Sequence, residues 1–239
     1  MTSIRDLVRR GVNRPDKIPR YLWGLLPVRN WGPTWRIRDG VVTFEPGGFA
    51  SSPRTRPEFA SNLYREVRGL RSILTEYREL PVERSLEVGC GYGRLSPWIA
   101  EVSVAHHAID PDGGAIRLAA EHYPWIGFVA ARAQELPYPD GRFDLVIAWT
   151  VLQHIPDETI DAATAELSRV LSPGGLAICC ERVDGERGPQ LRPRPVDEYD
   201  RLFSPLERVG VRERSVEPTW KAAMGGVTEE RVLVYRSSG

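Results

Sequence analysis

The sequence predicts an α/β fold: a doubly wound, mostly parallel seven-stranded sheet with an N-terminal cap. Three observations point to it. From Arg84 onward short apolar runs alternate with amphipathic stretches of helical length, a pattern that implies right-handed crossovers between parallel strands covered on both faces. A glycine-rich turn, Gly89-Cys90-Gly91-Tyr92-Gly93, joins the first run to the first helical stretch; glycine there lets the backbone turn sharply and approach a ligand. At 239 residues and 41% hydrophobic composition, the chain is one ordinary domain with room for a small appendage.

In chain order, residues 85–89 read as the first strand, 94–102 as a helix and 103–109 as the second strand. Residues 113–123 are helical, 127–131 form a third strand and 143–149 a fourth. Residues 157–171 read as a helix with Asp157 as N-cap, because Ile160, Ala163, Leu167, Val170 and Leu171 keep helical spacing. Pro173-Gly174-Gly175 stops that helix, and residues 176–180 are the fifth strand. An arginine-, glycine- and proline-rich loop over 182–196 precedes a helix over 197–209. Two closing strands follow, 211–216 and 230–236, joined by a turn through Gly225-Gly226.

The first eighty residues read as a cap on the domain formed by 81–239. Residues 57–80 are amphipathic, with Leu63, Val67, Leu70, Leu74 and Tyr77 on one helical stripe. Residues 35–44 carry a hairpin signal, since Asp39-Gly40 suits a two-residue primed turn. A short basic helix and the apolar stretch 21–26 precede it, and a cap this small lacks an independent core.

Net charge is zero, yet residues 1–80 hold fifteen Lys or Arg against eight Asp or Glu. A basic front end fits an anionic partner, whether substrate, membrane surface in peripheral contact or nucleic acid; the alternative is a plain solvated face. The longest apolar stretch is too short to span a bilayer. The charged N-terminus lacks the apolar core of a secretion signal, so the expected location is the cytoplasm. The three cysteines include the neighbours Cys179 and Cys180, which point to opposite faces of a strand. The four histidines show no metal-ligand spacing, so no metal is expected.

A dinucleotide fingerprint would place its third glycine at position 94, where this chain has Arg94, and no Gly-Lys-Ser/Thr phosphate loop is present. Instead Glu87-Val88-Gly89-Cys90-Gly91-Tyr92-Gly93 resembles the first motif of class I S-adenosylmethionine-dependent methyltransferases, which have a Rossmann-like fold. The resemblance continues in order through His107-Ala108-Ile109-Asp110-Pro111, the 131–140 loop, the 143–156 segment and Leu171-Ser172-Pro173-Gly174-Gly175-Leu176, covering about residues 82–181. It implies a cofactor, S-adenosylmethionine. It further implies that Gly89, Cys90 and Gly91 border the methionine and ribose portions, that Glu87 organises the methionine amine and that Asp110 accepts the ribose hydroxyls. Ala133 and Gln134 would lie along the adenine, with Ala148 and the Trp149 ring closing the pocket; a core aromatic is the alternative for Trp149.

His154, just past the fourth strand, is the candidate general base, since an imidazole titrates near neutrality. The alternative is a histidine hydrogen-bonded near a helix start. The acidic-or-amide, Pro-Pro, aromatic tetrapeptide of amino-directed nucleic-acid methyltransferases is missing after the fourth strand, where Ala148-Trp149-Thr150-Val151 stands. A small-molecule acceptor, anionic or lipid- or sugar-linked, is therefore expected. The other readings kept open are an RNA-modifying methyltransferase using the basic cap and a cofactor-binding module without catalysis.

Overall fold

Along residues 143–149 every side chain except Asp144 is buried, a pattern that a strand satisfies only with both faces covered. In the computed structural model, which describes residues 35–38, 41–44, 56–214 and 229–239, that segment is the centre of the sheet. The elements are β1 (Trp35–Arg38), β2 (Val41–Phe44), α1 (Arg56–Tyr77), β3 (Val82–Val88), α2 (Ser96–Ala100), β4 (Ser103–Asp110), α3 (Gly113–His122) and β5 (Gly127–Ala130). They continue with β6 (Phe143–Trp149), α4 (Asp157–Arg169), β7 (Leu171–Arg182), α5 (Val196–Leu202), β8 (Glu207–Glu213) and β9 (Glu230–Arg236). Seven strands form one sheet in the order β5-β4-β3-β6-β7-β9-β8. β3 to β7 run parallel, and β9 is antiparallel to both β7 and β8. The chain leaves β3 toward β4 and β5 on one side and returns to β6 on the other. That reversal opens a crevice at the carboxyl ends of the strands.

Strand alternation then sorts the core into two layers. Leu86, Val88, Val146, Ala148, Ala177, Cys179, Leu233 and Tyr235 face α4 and α5, meeting Ile160, Ala163, Leu167, Tyr199 and Leu202. Leu145, Ile147, Trp149, Leu176, Ile178, Cys180, Val232 and Val234 face α1 and α2. The α1 stripe is as predicted: Leu63, Leu70 and Leu74 are buried, and Val67 and Tyr77 pack against the same cluster. The helix thus shares the core of the sheet. Cys179 and Cys180 do fall on opposite faces. α3 is capped by Asp112, whose carboxylate accepts from the Gly114 and Ala115 amides.

Several boundaries differ from the sequence reading. The first helix shrinks from 94–102 to Ser96–Ala100, because the glycine turn, with positive φ at Gly91 and Gly93, runs on through Leu95. Asp157 is the first helical residue, not the N-cap; Pro156 holds that position, and the Asp157 carboxylate is drawn to Arg187 and Arg194 instead. Pro173-Gly174-Gly175 lies inside a strand: β7 starts at Leu171 and slips register between the pairs Phe143↔Leu171 and Leu145↔Leu176. Gly174 takes φ +71° in that bulge. The helix expected over 197–209 ends at Leu202, and Glu207–Glu213 is already β8, since pairing with β9 outweighs helical preference there. β1 and β2 pair from Trp35↔Phe44 to Arg38↔Val41. The Asp39-Gly40 turn, the 1–34 segment and the Gly225-Gly226 turn lie outside the described residues.

Leu74, 1% exposed beneath the sheet, tests whether α1 is part of the cooperative core. Leu74→Ala should cost about 3 kcal/mol through the lost contacts and residual cavity. Urea unfolding reads this directly, and an unchanged midpoint would separate α1 from the domain.

Candidate active site

The turn leaving β3 holds one glycine whose side-chain space is taken and one whose side-chain space is open. Gly89 has φ +71°, and a methyl group placed there would overlap the Val151 side chain. Gly91, at φ +56°, has nothing within 4 Å of where its Cβ would sit, so that side of the turn faces open space. Four donors of this turn are used within the protein. The Gly89 and Cys90 amides donate to the Ile109 carbonyl at 2.8 and 2.9 Å, and the Gly93 amide to the Cys90 carbonyl at 3.0 Å. The Gly91 amide donates to Asp110 Oδ2 at 2.9 Å. Phosphate cradles need such amides converging on the ligand. This turn therefore suits a ligand without phosphate.

Asp110 reaches this turn from the end of β4. Its Oδ1 accepts the Asp112 amide at 2.9 Å. Burial raises its pKa; the two amide donors oppose the rise, and Asp112 and Glu87 add to it. Glu87 is buried and accepts the Ser96 hydroxyl, with His106 Nε2 3.7 Å away. Cys90 turns into the α3 layer beside Ala108, Ile116 and Ile126, and burial pushes its thiol far above its usual range.

The other expected residues approach from the flanking strands. The Ala131 amide donates to the Asp110 carbonyl at 3.1 Å, which ties the loop holding buried Ala133 and half-buried Gln134 to the end of β4. Gln134 Nε2 donates to the Thr159 hydroxyl at 3.2 Å. Ala148 pairs with Val88, so it lies beside the start of the glycine turn. The Trp149 ring belongs to the core layer under α1, and its Nε1–H donates to Glu66 Oε1 at 3.2 Å; the structure gives it the core placement.

Residues 86–175 match the family model described as "Methyltransferase domain". Over that stretch the chain is similar to the class I S-adenosylmethionine-dependent methyltransferases. It is 31% identical over 101 residues to the demethylmenaquinone methyltransferase of Streptomyces avermitilis, covering 42% of this chain and 43% of that protein. It is 26% identical over 193 residues to the fatty-acid O-methyltransferase of Mycolicibacterium smegmatis, covering 77% and 66%. The first three curated relatives are matched over only 43%, 35% and 47% of their length. Among solved structures, the cyclase SpnF superposes with a TM-score of 0.60 at 21% identity, over 71% of this chain and 80% of that one.

In this domain His154 is held at both ring nitrogens. Nδ1 donates to the Gln190 carbonyl at 2.6 Å, which fixes the Nδ1–H tautomer because a carbonyl only accepts. Nε2 lies 3.2 Å from the Gln153 amide nitrogen, and Gln153 is oriented in turn by its Oε1, which accepts the Arg182 amide at 2.7 Å. Burial lowers the imidazole pKa; the Gln190 bond opposes this, while Arg182 and Arg192 add to it. Among the described residues, no group of three or more His, Cys, Asp or Glu could hold a metal, and no helix is long and apolar enough to cross a membrane.

Sequence reasoning missed a buried charge cluster beside the turn. Glu66 of α1 pairs with Arg94, just past Gly93, and with Arg214 after β8. Arg214 also grips both Glu230 carboxylate oxygens at 2.9 Å. Burial pushes Glu66 up, but the two guanidiniums outweigh it and hold its pKa at about 2. One signal was available: Glu66 falls three residues after Leu63 and four before Leu70, on the apolar stripe itself.

Two sets of variants test this geometry in thermal unfolding. Gly91→Ala should cost about 1 kcal/mol from the positive φ alone, whereas Gly89→Ala should cost more and regain part of the loss when Val151→Ala is added. Equal losses would contradict the Gly89–Val151 contact. Glu66→Ala should cost about 3–5 kcal/mol, because it leaves Arg214 buried without that partner.

Proposed function

We propose that the chain is an enzyme that transfers a methyl group from S-adenosylmethionine to a small-molecule acceptor. One observation carries the reading: the open space beside Gly91, whose amide donates to Asp110, at the carboxyl ends of β3 and β4. The residues fit the cofactor. Asp110 gives one lone pair from each oxygen to an amide and retains others for two vicinal hydroxyls. Glu87 offers a buried carboxylate below the turn for an ammonium group. With Gln134 Nε2 engaged by Thr159, its Oε1 is the end that would accept from an exocyclic amine, alongside Ala133. When bound, the cofactor supplies a sulfonium methyl already activated toward a nucleophile.

The protein's own contribution is then orientation, which can lower a barrier by about 7–11 kcal/mol. An acceptor that keeps its proton until the transition state needs a base, and His154 Nε2 serves once Gln153 is displaced from it. The names of the two methyltransferase relatives favour an acceptor with a lipid-like or carboxylate character. The same fold occurs in a protein titled a cyclase, so binding and transfer are separate tests.

Calorimetry with S-adenosylhomocysteine should show binding, and Asp110→Ala should weaken it by about 1.5 kcal/mol or more through lost charge-assisted bonds. The ionised Asp110 is the acceptor and its pKa is raised. Affinity should therefore fall on acidification at a higher pH than an exposed carboxylate would give, and Asp110→Asn should remove that step. No binding at all would end the reading. Binding without transfer to any of a lipid, carboxylate and sugar acceptor panel would leave a cofactor-binding module.

A further inference from the structure

The segment leaving β6 is held by groups that the reading above does not use. Thr150 sits at φ +60°, a conformation rare for a β-branched residue, with its amide donating to the Cys180 carbonyl at 2.7 Å. The next three amides converge on one carboxylate. Val151 and Leu152 donate to Glu181 Oε1 and Gln153 donates to Oε2, each at 3.0 Å. Glu181 is fully buried, and among the described residues no cation lies within ion-pair distance of it. From the other side, the buried Arg194 guanidinium donates to the Leu152 and Ile155 carbonyls, both at 2.8 Å.

This turn carries both halves of the candidate site. Val151 fills the space over Gly89, and Gln153 orients the His154 ring. We infer that Glu181 is a positioning residue, whose carboxylate fixes the β6 exit turn so that Val151 walls the donor side and Gln153-His154 faces the acceptor. The inference rests on the proposed function for the roles of those two sides, but the grip itself is a property of this chain.

A buried anion balanced by backbone dipoles has a consequence for pH. Burial raises the Glu181 pKa to about 7 against the pull of the three amides, and Glu230 on β9 adds to the rise. The other ionisable groups facing it are Tyr199 of α5, with Arg194 beside it, and Cys179 and Cys180 on its own strand. A proton on Oε2 takes the one lone-pair site that no amide uses, so the three bonds lose their charge assistance and weaken. The grip is therefore complete above pH about 7 and weakens as pH falls through it.

The test uses the full chain. Amide exchange at residues 151–153, corrected for intrinsic rates, and calorimetric affinity for S-adenosylhomocysteine are followed from about pH 5.5 to about 8.5. In the wild type, protection and affinity should both rise through neutrality. Glu181→Gln should speed exchange and weaken binding, each by about tenfold, and remove the neutral step from both profiles while keeping the Asp110-dependent fall at lower pH. Wild-type protection and pH response in E181Q would overturn the inference, as would a loosened turn with unaltered affinity. Should E181Q fail to fold, a flat exchange profile at 151–153 in the wild type overturns it alone. A wild type that binds no S-adenosylhomocysteine sinks the proposed function instead, and the exchange profile still reports whether Glu181 holds the turn.

Discussion

Gly89 and Val151 meet where not even one more methyl group fits, and this contact sets the distance between the turn leaving β3 and the turn leaving β6. Both turns follow from neighbouring parallel strands in register, Val88 beside Ala148, so the crevice between them is fixed by the sheet. Everything assigned to the site hangs on that spacing. Asp110 reaches the Gly91 amide from one side, and the His154 segment arrives from the other. Because parallel strands carry their exits on one edge, the fold needs no long-range adjustment to bring these parts together.

The molecule surrounds this crevice with buried charge, and the two carboxylates involved are handled differently. Glu66 is neutralised by the Arg94 and Arg214 side chains, so it stays ionised and ties α1, the glycine turn and the end of β8 together. Glu181 has only amide dipoles around its oxygens and sits near neutrality in its pKa. Removing a partner from the first leaves a stranded charge, whereas protonating the second only loosens a turn. One carboxylate is fastened by side-chain cations, the other, among the described residues, by backbone amides alone.

Donor and acceptor sides also differ in how their polar atoms are used. On the donor side, the turn amides are spent on Ile109, Cys90 and Asp110, which leaves shape and a carboxylate to recognise a ligand without phosphate. On the acceptor side, Gln190, Gln153 and the Arg182 amide hold the histidine in a chain of hydrogen bonds. On the proposed reading, methyl transfer from an activated donor asks mainly for alignment, which the crevice and the hydrogen-bonded histidine would supply.

The sequence alone determined the strand-helix alternation, the α1 stripe and the pairing of the glycine turn with Asp110, because each rests on local spacing or on neighbouring strands. It misjudged the bulge at Pro173-Gly174-Gly175 and the β8 start at Glu207, where sheet pairing overrode local preference. It could offer two roles each for His154 and Trp149; their partners, Gln190 and Glu66, lie 36 and 83 residues away in the chain. Only the tertiary structure decided the Glu66 cluster and the Glu181 grip. Their partners come from elements brought together by folding, and a buried charge shows its purpose only through the groups that surround it.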